Sequence, residues 1–196
     1  PTPQQIKMAT HLASEGVDII FGSHSHVVQP VSWVESPDGA RRTLVVWSLG
    51  NFISNQRFEF LQRHNTEDGL MVSVRVERVA SSSSVQITGI DYQPLWVHRH
   101  QKNGRWHYHV LPLLSALRNL DGYGLEQNTN LTRARNSLKR TMKTLAKAPE
   151  WSPPTWTENI SDQAVTVKPE KLVTDSSPAP QKTESDDEGS EDEKDE

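Results

Sequence analysis

The order of apolar and polar residues predicts a helix followed directly by a strand at the start of the chain. Thr2, Pro3 and Gln5 match a helix N-terminus with a capping box. Apolar residues then recur at helical spacing until Gly16, a residue type that often ends helices. The segment 17–21 is mostly apolar and rich in β-branched residues, which predicts a buried strand. A helix and a strand in this order are typical of a layered α/β domain.

From residue 31 onward the pattern becomes that of strands and turns. Apolar segments at 31–35 and 43–48 flank the turn sequence Ser36-Pro37-Asp38-Gly39 and predict a hairpin. Alternation with period 2 predicts a long strand over 70–79, and the four serines at 81–84 predict the turn that follows it. We predict three further strands, at 85–91, 95–100 and 106–111.

The last two predicted strands carry four histidines around Asn103-Gly104, a residue pair that favours a type I′ turn. With this turn His100 lies opposite His107, and His98 lies opposite His109, so that all four rings share one face of the hairpin. We interpret this face as exposed and polar rather than as a metal site, because no carboxylate is placed to orient the rings.

Residues 131–148 return to helical spacing and carry six Lys or Arg residues and no acid. Such a helix can dock on an anionic membrane surface or polymer. It can also pack its apolar stripe on the domain and leave its basic face in water, which is the interpretation we favour. We therefore divide the chain into a domain at 1–120 and a basic amphipathic helix extension at 121–148.

Composition separates a final segment from the rest of the chain. Apolar residues account for 57 of the first 149 residues but only 9 of the last 47. Residues 181–196 hold nine acids and two lysines, so the overall net charge of −4 arises from this end of the chain. We predict a disordered Pro-, Ser- and acid-rich tail at 149–196. We expect no nucleic-acid partner, because no strongly basic balance remains elsewhere. The absence of cysteine excludes thiolate metal sites and disulfides.

The candidate functional residues of the chain follow the first predicted strand directly, in the segment Gly22-Ser23-His24-Ser25-His26. The carboxyl ends of strands are where α/β sheets place their ligand sites. In extended backbone, His24 and His26 point the same way with Cα atoms about 6.5–7 Å apart. Neutral imidazoles at this spacing suit divalent Zn, Mn or Fe, held as one ion or as a neighbouring pair. On spacing alone, two polar loop histidines without a metal are an alternative interpretation.

Two segments carry a family resemblance. Residues 16–30 (GVDIIFGSHSHVVQP) and 47–53 (WSLGNFI) closely resemble two motifs of the capsule-synthesis CapA family, the poly-γ-glutamate biosynthesis group. The later order of segments extends the resemblance over 1–120. It implies an α/β fold of the α+β layered kind, namely the C-terminal half of a calcineurin-like metallophosphoesterase β-sandwich flanked by helices.

The same resemblance implies the residues of a site. His24 and His26 correspond to two ligands of a centre that holds divalent metal ions, two in number, of Mn, Fe or Zn. The family's other ligands belong to earlier motifs, so we expect a C-terminal fragment that holds metal poorly by itself. No residue is assigned as a catalytic acid or base. Asn51 is a candidate substrate contact, although Gly50 and Asn51 are also favourable turn residues and a structural role beside the site is preferred.

The implied function is synthesis of capsule polymer or poly-γ-glutamate with a hydrolase-type metal site. Its partners would be the anionic polymer or its synthesis machinery. Its location would be the cell envelope, outside the cytoplasm, with membrane association only through an N-terminal anchor. Two alternatives remain: a non-catalytic envelope scaffold or polymer-binding protein on the same fold, and an ordinary intracellular phosphoesterase. The upstream metal ligands and the presence of a signal or anchor discriminate between these functions.

Overall fold

The computed structural model describes residues 1–79, 85–125, 128–152 and 154. The predicted serine turn at 81–84 and nearly all of the predicted tail lie outside these residues. Short 3₁₀ turns cover His64–Glu67 and Asp121–Tyr123. The helices and strands are, in chain order, α1 (Pro3–Ser14), β1 (Ile19–Phe21), β2 (Val31–Glu35), β3 (Arg42–Val46), α2 (Phe58–Leu61), β4 (Asp68–Arg78), β5 (Val85–Lys102), β6 (Arg105–Pro112), α3 (Leu113–Ala116) and α4 (Asn128–Leu145).

The first sheet has the strand order β1-β3-β2, with β1 parallel and β2 antiparallel to the central strand. The predicted hairpin of β2 and β3 is therefore confirmed. Helix α1 begins with the predicted capping box, in which the Thr2 hydroxyl accepts from the Gln5 amide and the Gln5 side chain accepts from the Thr2 amide. Gly16, with φ of +88°, follows the end of this helix. Ala9 of α1 packs against Val45 and Trp47, which covers one face of the sheet.

The second sheet is antiparallel with the order β4-β5-β6. The prediction of two strands at 85–91 and 95–100 is wrong, because β5 is one continuous strand. Its first part pairs with β4 and its last part pairs with β6, and pairing with β6 begins only at Leu95. Pro94 pairs with Leu70 on one side, and on the other side no strand of the described part of the chain pairs with it. A proline there removes no hydrogen bond with β6, so the strand continues through it.

The β5–β6 hairpin has the predicted turn and register. Asn103 and Gly104 have φ of 52° and 74°, and His98 pairs with His109 and His100 with His107. The ring of His100 lies 5.1, 5.5 and 4.8 Å from the rings of His98, His107 and His109, so the four rings do share one face. The interpretation of that face as exposed is wrong for His98, which is 3% exposed and stacks on Trp96.

Helix α4 is part of the core that both sheets share. Leu131, Ala134 and Leu138 join a cluster with Trp96 and Leu111 of the second sheet. Leu145 joins a cluster that contains residues of both sheets, namely Val31, Leu44, Val46, Leu70, Ile90 and Tyr92. The helix therefore packs its apolar stripe on the domain, as the sequence analysis favoured.

Two of the basic residues of α4, Arg133 and Arg140, are only partly exposed to solvent. Arg133 forms ion pairs with Glu59 and Glu67, and Arg140 forms an ion pair with Asp68. The expectation of a basic face left in water is wrong for these two arginines, because carboxylates from residues 59–68 lie against the helix. Beyond the C-terminal end of α4, Trp151 packs edge-on against Tyr92. The Tyr92 hydroxyl donates a hydrogen bond to the Pro149 carbonyl.

The two sheets with helices packed on them confirm the predicted α+β class. Among the described residues, no helix has the length and apolar character that crossing a membrane requires.

Candidate functional site

The loop that carries the two histidines is fixed to the first sheet by Gly22. Its amide donates to the Val46 carbonyl, and its carbonyl accepts from the Leu49 amide. A Cβ atom at residue 22 would lie 2.3 Å from the Trp47 carbonyl oxygen, so no side chain fits at this position. The glycine therefore lets the loop leave β1 in close contact with the chain that follows β3.

His24 and His26 both lie in the left-handed region, with φ of 79° and 58°. This conformation is uncommon for residues other than glycine, and such strained residues cluster at functional sites. The sequence-based expectation of an extended backbone is wrong here. The two exposed rings are nevertheless close, with centroids 6.1 Å apart.

Asn51 lies beside His26 because the chain after β3 runs along the start of β4. Gly50 bridges to Gly69, and the Asn51 amide donates to the Asp68 carbonyl. The Asn51 side chain is 8% exposed, and its Oδ1 atom lies 2.8 Å from Nδ1 of His26. The structure thus brings together two residues that are 25 positions apart and that the sequence assigned to separate motifs.

The hydrogen bonds of Asn51 determine which ring nitrogen of His26 carries the proton. Its Nδ2 group donates to the carbonyl of Thr66 at 2.9 Å, and at 3.3 Å to the His26 carbonyl and to Oε1 of Gln56. With the amide nitrogen used in this way, Oδ1 can only accept from Nδ1–H of His26. The Nε2 atom then keeps its lone pair and faces away from Asn51. A hydrogen bond to one ring nitrogen that leaves the other free is the usual arrangement of a metal-binding histidine.

The separation of the two rings can be compared with the largest separation that one shared ion allows. A metal–nitrogen distance of about 2.0–2.1 Å places an ion roughly 3.2 Å from the centre of an imidazole ring. Two rings on one ion are then at most about 6.4 Å apart, and the separation of His24 and His26 is 6.1 Å. Over the described ranges, no group of three or more His, Cys, Asp or Glu side chains is arranged to hold a metal ion.

Behind Asn51 lies a buried charged network that the sequence analysis missed. The carboxylate of Glu67, 2% exposed, accepts from Arg57, Trp96, the Phe58 amide and Arg133. Its neighbour Asp68 accepts from Ser137 and Arg140. Burial raises the pKa of Asp68, whereas the hydrogen bonds from Arg133 lower the pKa of Glu59 to about 2. The sequence signal that could have revealed this network is the predicted helix at 131–148, which carries basic residues and no acid. Such a helix needs carboxylates from elsewhere in the fold.

Comparison with known proteins bears on the same part of the chain. Residues 1–56 match the family model described as bacterial capsule synthesis protein PGA_cap. The PGA biosynthesis protein CapA of Bacillus subtilis (strain 168) is 30% identical over 91 residues, which cover 46% of this chain and 21% of that protein. The match thus spans about a fifth of the length of the curated relative. No solved structure matches the chain. The match to this family model contains both sequence motifs, and the predicted resemblance to the CapA family is confirmed.

Proposed function

We propose that this chain takes part in capsule or poly-γ-glutamate synthesis, and that His24 and His26 are ligands of a hydrolase-type metal site. The observation that carries the proposal is the contact between Asn51 and His26, which leaves Nε2 of His26 free to bind an ion. This contact joins the two motifs that resemble the family, because one motif contains His26 and the other contains Asn51. The partner would be the anionic polymer or its synthesis machinery, and the place would be the cell envelope.

A divalent ion at this site would polarise an acyl or phosphoryl oxygen and lower the pKa of a bound water. The protein's own residues have separate roles in this proposal. His24 and His26 hold the ion, whereas Asn51 is a positioning residue that orients the ring of His26. Gly22 keeps the loop against the first sheet, so that the two rings stay within reach of one ion or of two neighbouring ions.

Metal binding by the purified chain tests the ligand assignment. We expect His24→Ala and His26→Ala to weaken binding of Mn²⁺ and Zn²⁺ about tenfold or more, as loss of a metal ligand or its support does. Isothermal titration calorimetry measures the affinity, and elemental analysis measures the metal content of protein from cells. Both variants should keep the circular dichroism spectrum of the wild type, since exposed loop residues contribute little to the core.

Two further variants serve as controls for this test. His11→Ala removes an exposed histidine of α1 that lies outside the site, and His107→Gln removes one ring of the hairpin cluster. Binding that is unchanged in the His24 and His26 variants, or that is lost equally in a control, would contradict the assignment. In cells that encode the chain, the same two variants are expected to lower the yield of capsule polymer.

A second candidate function is polymer binding without catalysis. The guanidinium of Arg99 lies 3.8 Å from the ring centre of Trp106 and 5.6 Å from that of Phe60, and both rings are more than half exposed. A cation stacked on exposed aromatic rings is suited to an anionic polymer. If Arg99→Gln weakens binding of poly-γ-glutamate whereas His24→Ala leaves both polymer binding and capsule yield intact, this function is favoured.

A further inference from the structure

The histidine cluster of the β5–β6 hairpin has buried polar atoms that the proposed function does not use. Both ring nitrogens of His98 and Nδ1 of His100 are buried and have no hydrogen-bond partner among the described residues. A buried imidazole without partners is tolerated as a neutral group, whereas its charged form is strongly disfavoured. The cluster is therefore compatible with this packing only while its inner rings are uncharged.

Basic side chains act on His98 from its own strand and from three other parts of the chain. His100 lies beside it on β5, His109 faces it from β6, Arg57 approaches from the segment before α2, and Arg133 approaches from α4. The negative partners of the two arginines are Glu59 and Glu67, and Lys102 and His107 face His100 from the hairpin. Burial, followed by these charges, lowers the pKa of His98 to about 4, and burial also lowers the pKa of His100.

One of these groups connects the cluster to the candidate site. The buried side chain of Arg57 donates a 2.8 Å hydrogen bond to the carbonyl of Val97, the residue next to His98. Arg57 ends the segment 51–57, which begins within the second motif. Within that segment, the Gln56 side chain accepts from Asn51, which in turn contacts His26. A positive charge on His98 would repel the guanidinium of Arg57, which attaches this segment to β5.

We propose that His98 is an acid-sensitive latch: in its neutral state it permits Arg57 to hold the segment 51–57 against β5, and its protonation releases that segment together with Asn51. The inference rests on the packing of the hairpin and does not require that His24 and His26 bind a metal. Release would loosen the hydrogen bond between Asn51 and Nδ1 of His26, which orients this ring.

The direction and size of the effect follow from the two states of His98. A released imidazole has its ordinary pKa of 6.5, and the enclosed one has a pKa of about 4. The enclosed state is therefore fully favoured above pH 6.5 and loses its advantage as the pH falls toward 4. At pH 5 the equilibrium constant for release is raised by up to about thirtyfold relative to pH 7.5.

Amide hydrogen exchange of the whole chain, corrected for the intrinsic exchange rate, tests the latch. In the wild type we expect protection of 51–57 and 97–100 to fall between pH 7.5 and pH 5 by a factor that approaches thirty. In His98→Phe, whose ring can still stack on Trp96, we expect protection to change by less than about twofold. His11→Gln, which removes an exposed histidine of α1, should behave as the wild type does.

Two measurements keep the test decisive. Circular dichroism establishes that His98→Phe is folded, and His98→Leu replaces it if it is not. In the wild type, ring ¹⁵N shifts of His98 report when this side chain takes up its proton. The proposal is overturned if protection falls equally in the wild type and in the uncharged variant, or if His98 titrates near 6.5 while protection of 51–57 stays constant. Loss of metal binding in the His24 variants has no bearing on either result.

Discussion

At the scale of single residues, Asn51 has more polar contacts than a turn residue needs. Its amide nitrogen has three acceptors, its Oδ1 faces Nδ1 of His26, and its backbone amide donates to Asp68. The sequence offered two roles for it, substrate contact or structural residue beside the site. The contacts favour the second role, because a side chain that is 8% exposed has little surface left for a substrate.

The first prediction concerns Asn51→Ala. Removing the amide leaves the Thr66 carbonyl without its donor, so we expect the free energy of unfolding to fall by about 1–3 kcal/mol. We also expect His26 to change from one neutral tautomer to a mixture, because nothing then holds its Nδ1 proton. Chemical denaturation measures the first effect, and ring ¹⁵N shifts of His26 measure the second.

The control for this substitution is Asn55→Ala. Asn55 lies in the same segment, but it is exposed and its side-chain oxygen accepts from Arg99 and Tyr108. It should leave the tautomer of His26 unchanged. If the tautomer in Asn51→Ala is also unchanged, then Asn51 does not orient this ring.

At the scale of elements, glycines decide how closely the chain can approach itself around the site. Gly50 and Gly39 have nearly the same backbone conformation, with φ of +71° and +69°. A Cβ atom at Gly50 would lie 2.6 Å from the Asp68 carbonyl oxygen and 2.9 Å from a methyl group of Val28, whereas one at Gly39 would meet nothing within 4 Å. The two positions therefore separate backbone strain from close packing.

The second prediction uses this pair of glycines. Gly39→Ala should lower the free energy of unfolding by about 1–2 kcal/mol, which is the cost of a left-handed alanine. Gly50→Ala carries the same strain and must in addition displace β4 or the segment after β3, so we expect a clearly larger loss. Urea denaturation monitored by tryptophan fluorescence measures both. Equal losses would mean that the contact between Gly50 and β4 is not tightly packed.

The elements that the sequence predicted well are those with local causes. The capping box of α1, the turn at Asn103-Gly104 and the alternation in β4 each depend on residues a few positions apart. The division of β5 into strands at 85–91 and 95–100 failed because the strand continues through Pro94. Whether a proline interrupts a strand depends on which neighbouring strand is present beside it, and that information is not local.

At the scale of the whole molecule, α4 connects the two sheets. Its apolar side chains enter both core clusters, and its arginines bind the carboxylates that stand behind Asn51. Because these contacts lie on successive turns of one helix, loss of the helix would expose the core and remove the partners of Glu67 and Asp68. We therefore expect the helix and the sheets to unfold together.

The third prediction tests this role with Leu138→Ala. The side chain is fully buried in the cluster with Trp96, so its truncation should cost about 2–5 kcal/mol. The neighbouring exposed substitution Lys139→Ala should change stability by less than about 0.5 kcal/mol. Thermal unfolding followed by circular dichroism compares the two. A small effect of Leu138→Ala would show that the packing of α4 contributes little to the stability of the core.

The sequence by itself determined the capping box of α1, the α+β class, the family motifs and the pairing of the hairpin histidines, because caps, turns and alternation act between near neighbours. Only the tertiary structure decided that Asn51 meets His26, that Glu67 and Asp68 pair with Arg133 and Arg140 of α4, and that His98 is enclosed beside Arg57. These contacts join residues 10 to 72 positions apart. They arise from the way in which two sheets and a helix pack, and no pattern within a short stretch of sequence encodes that packing.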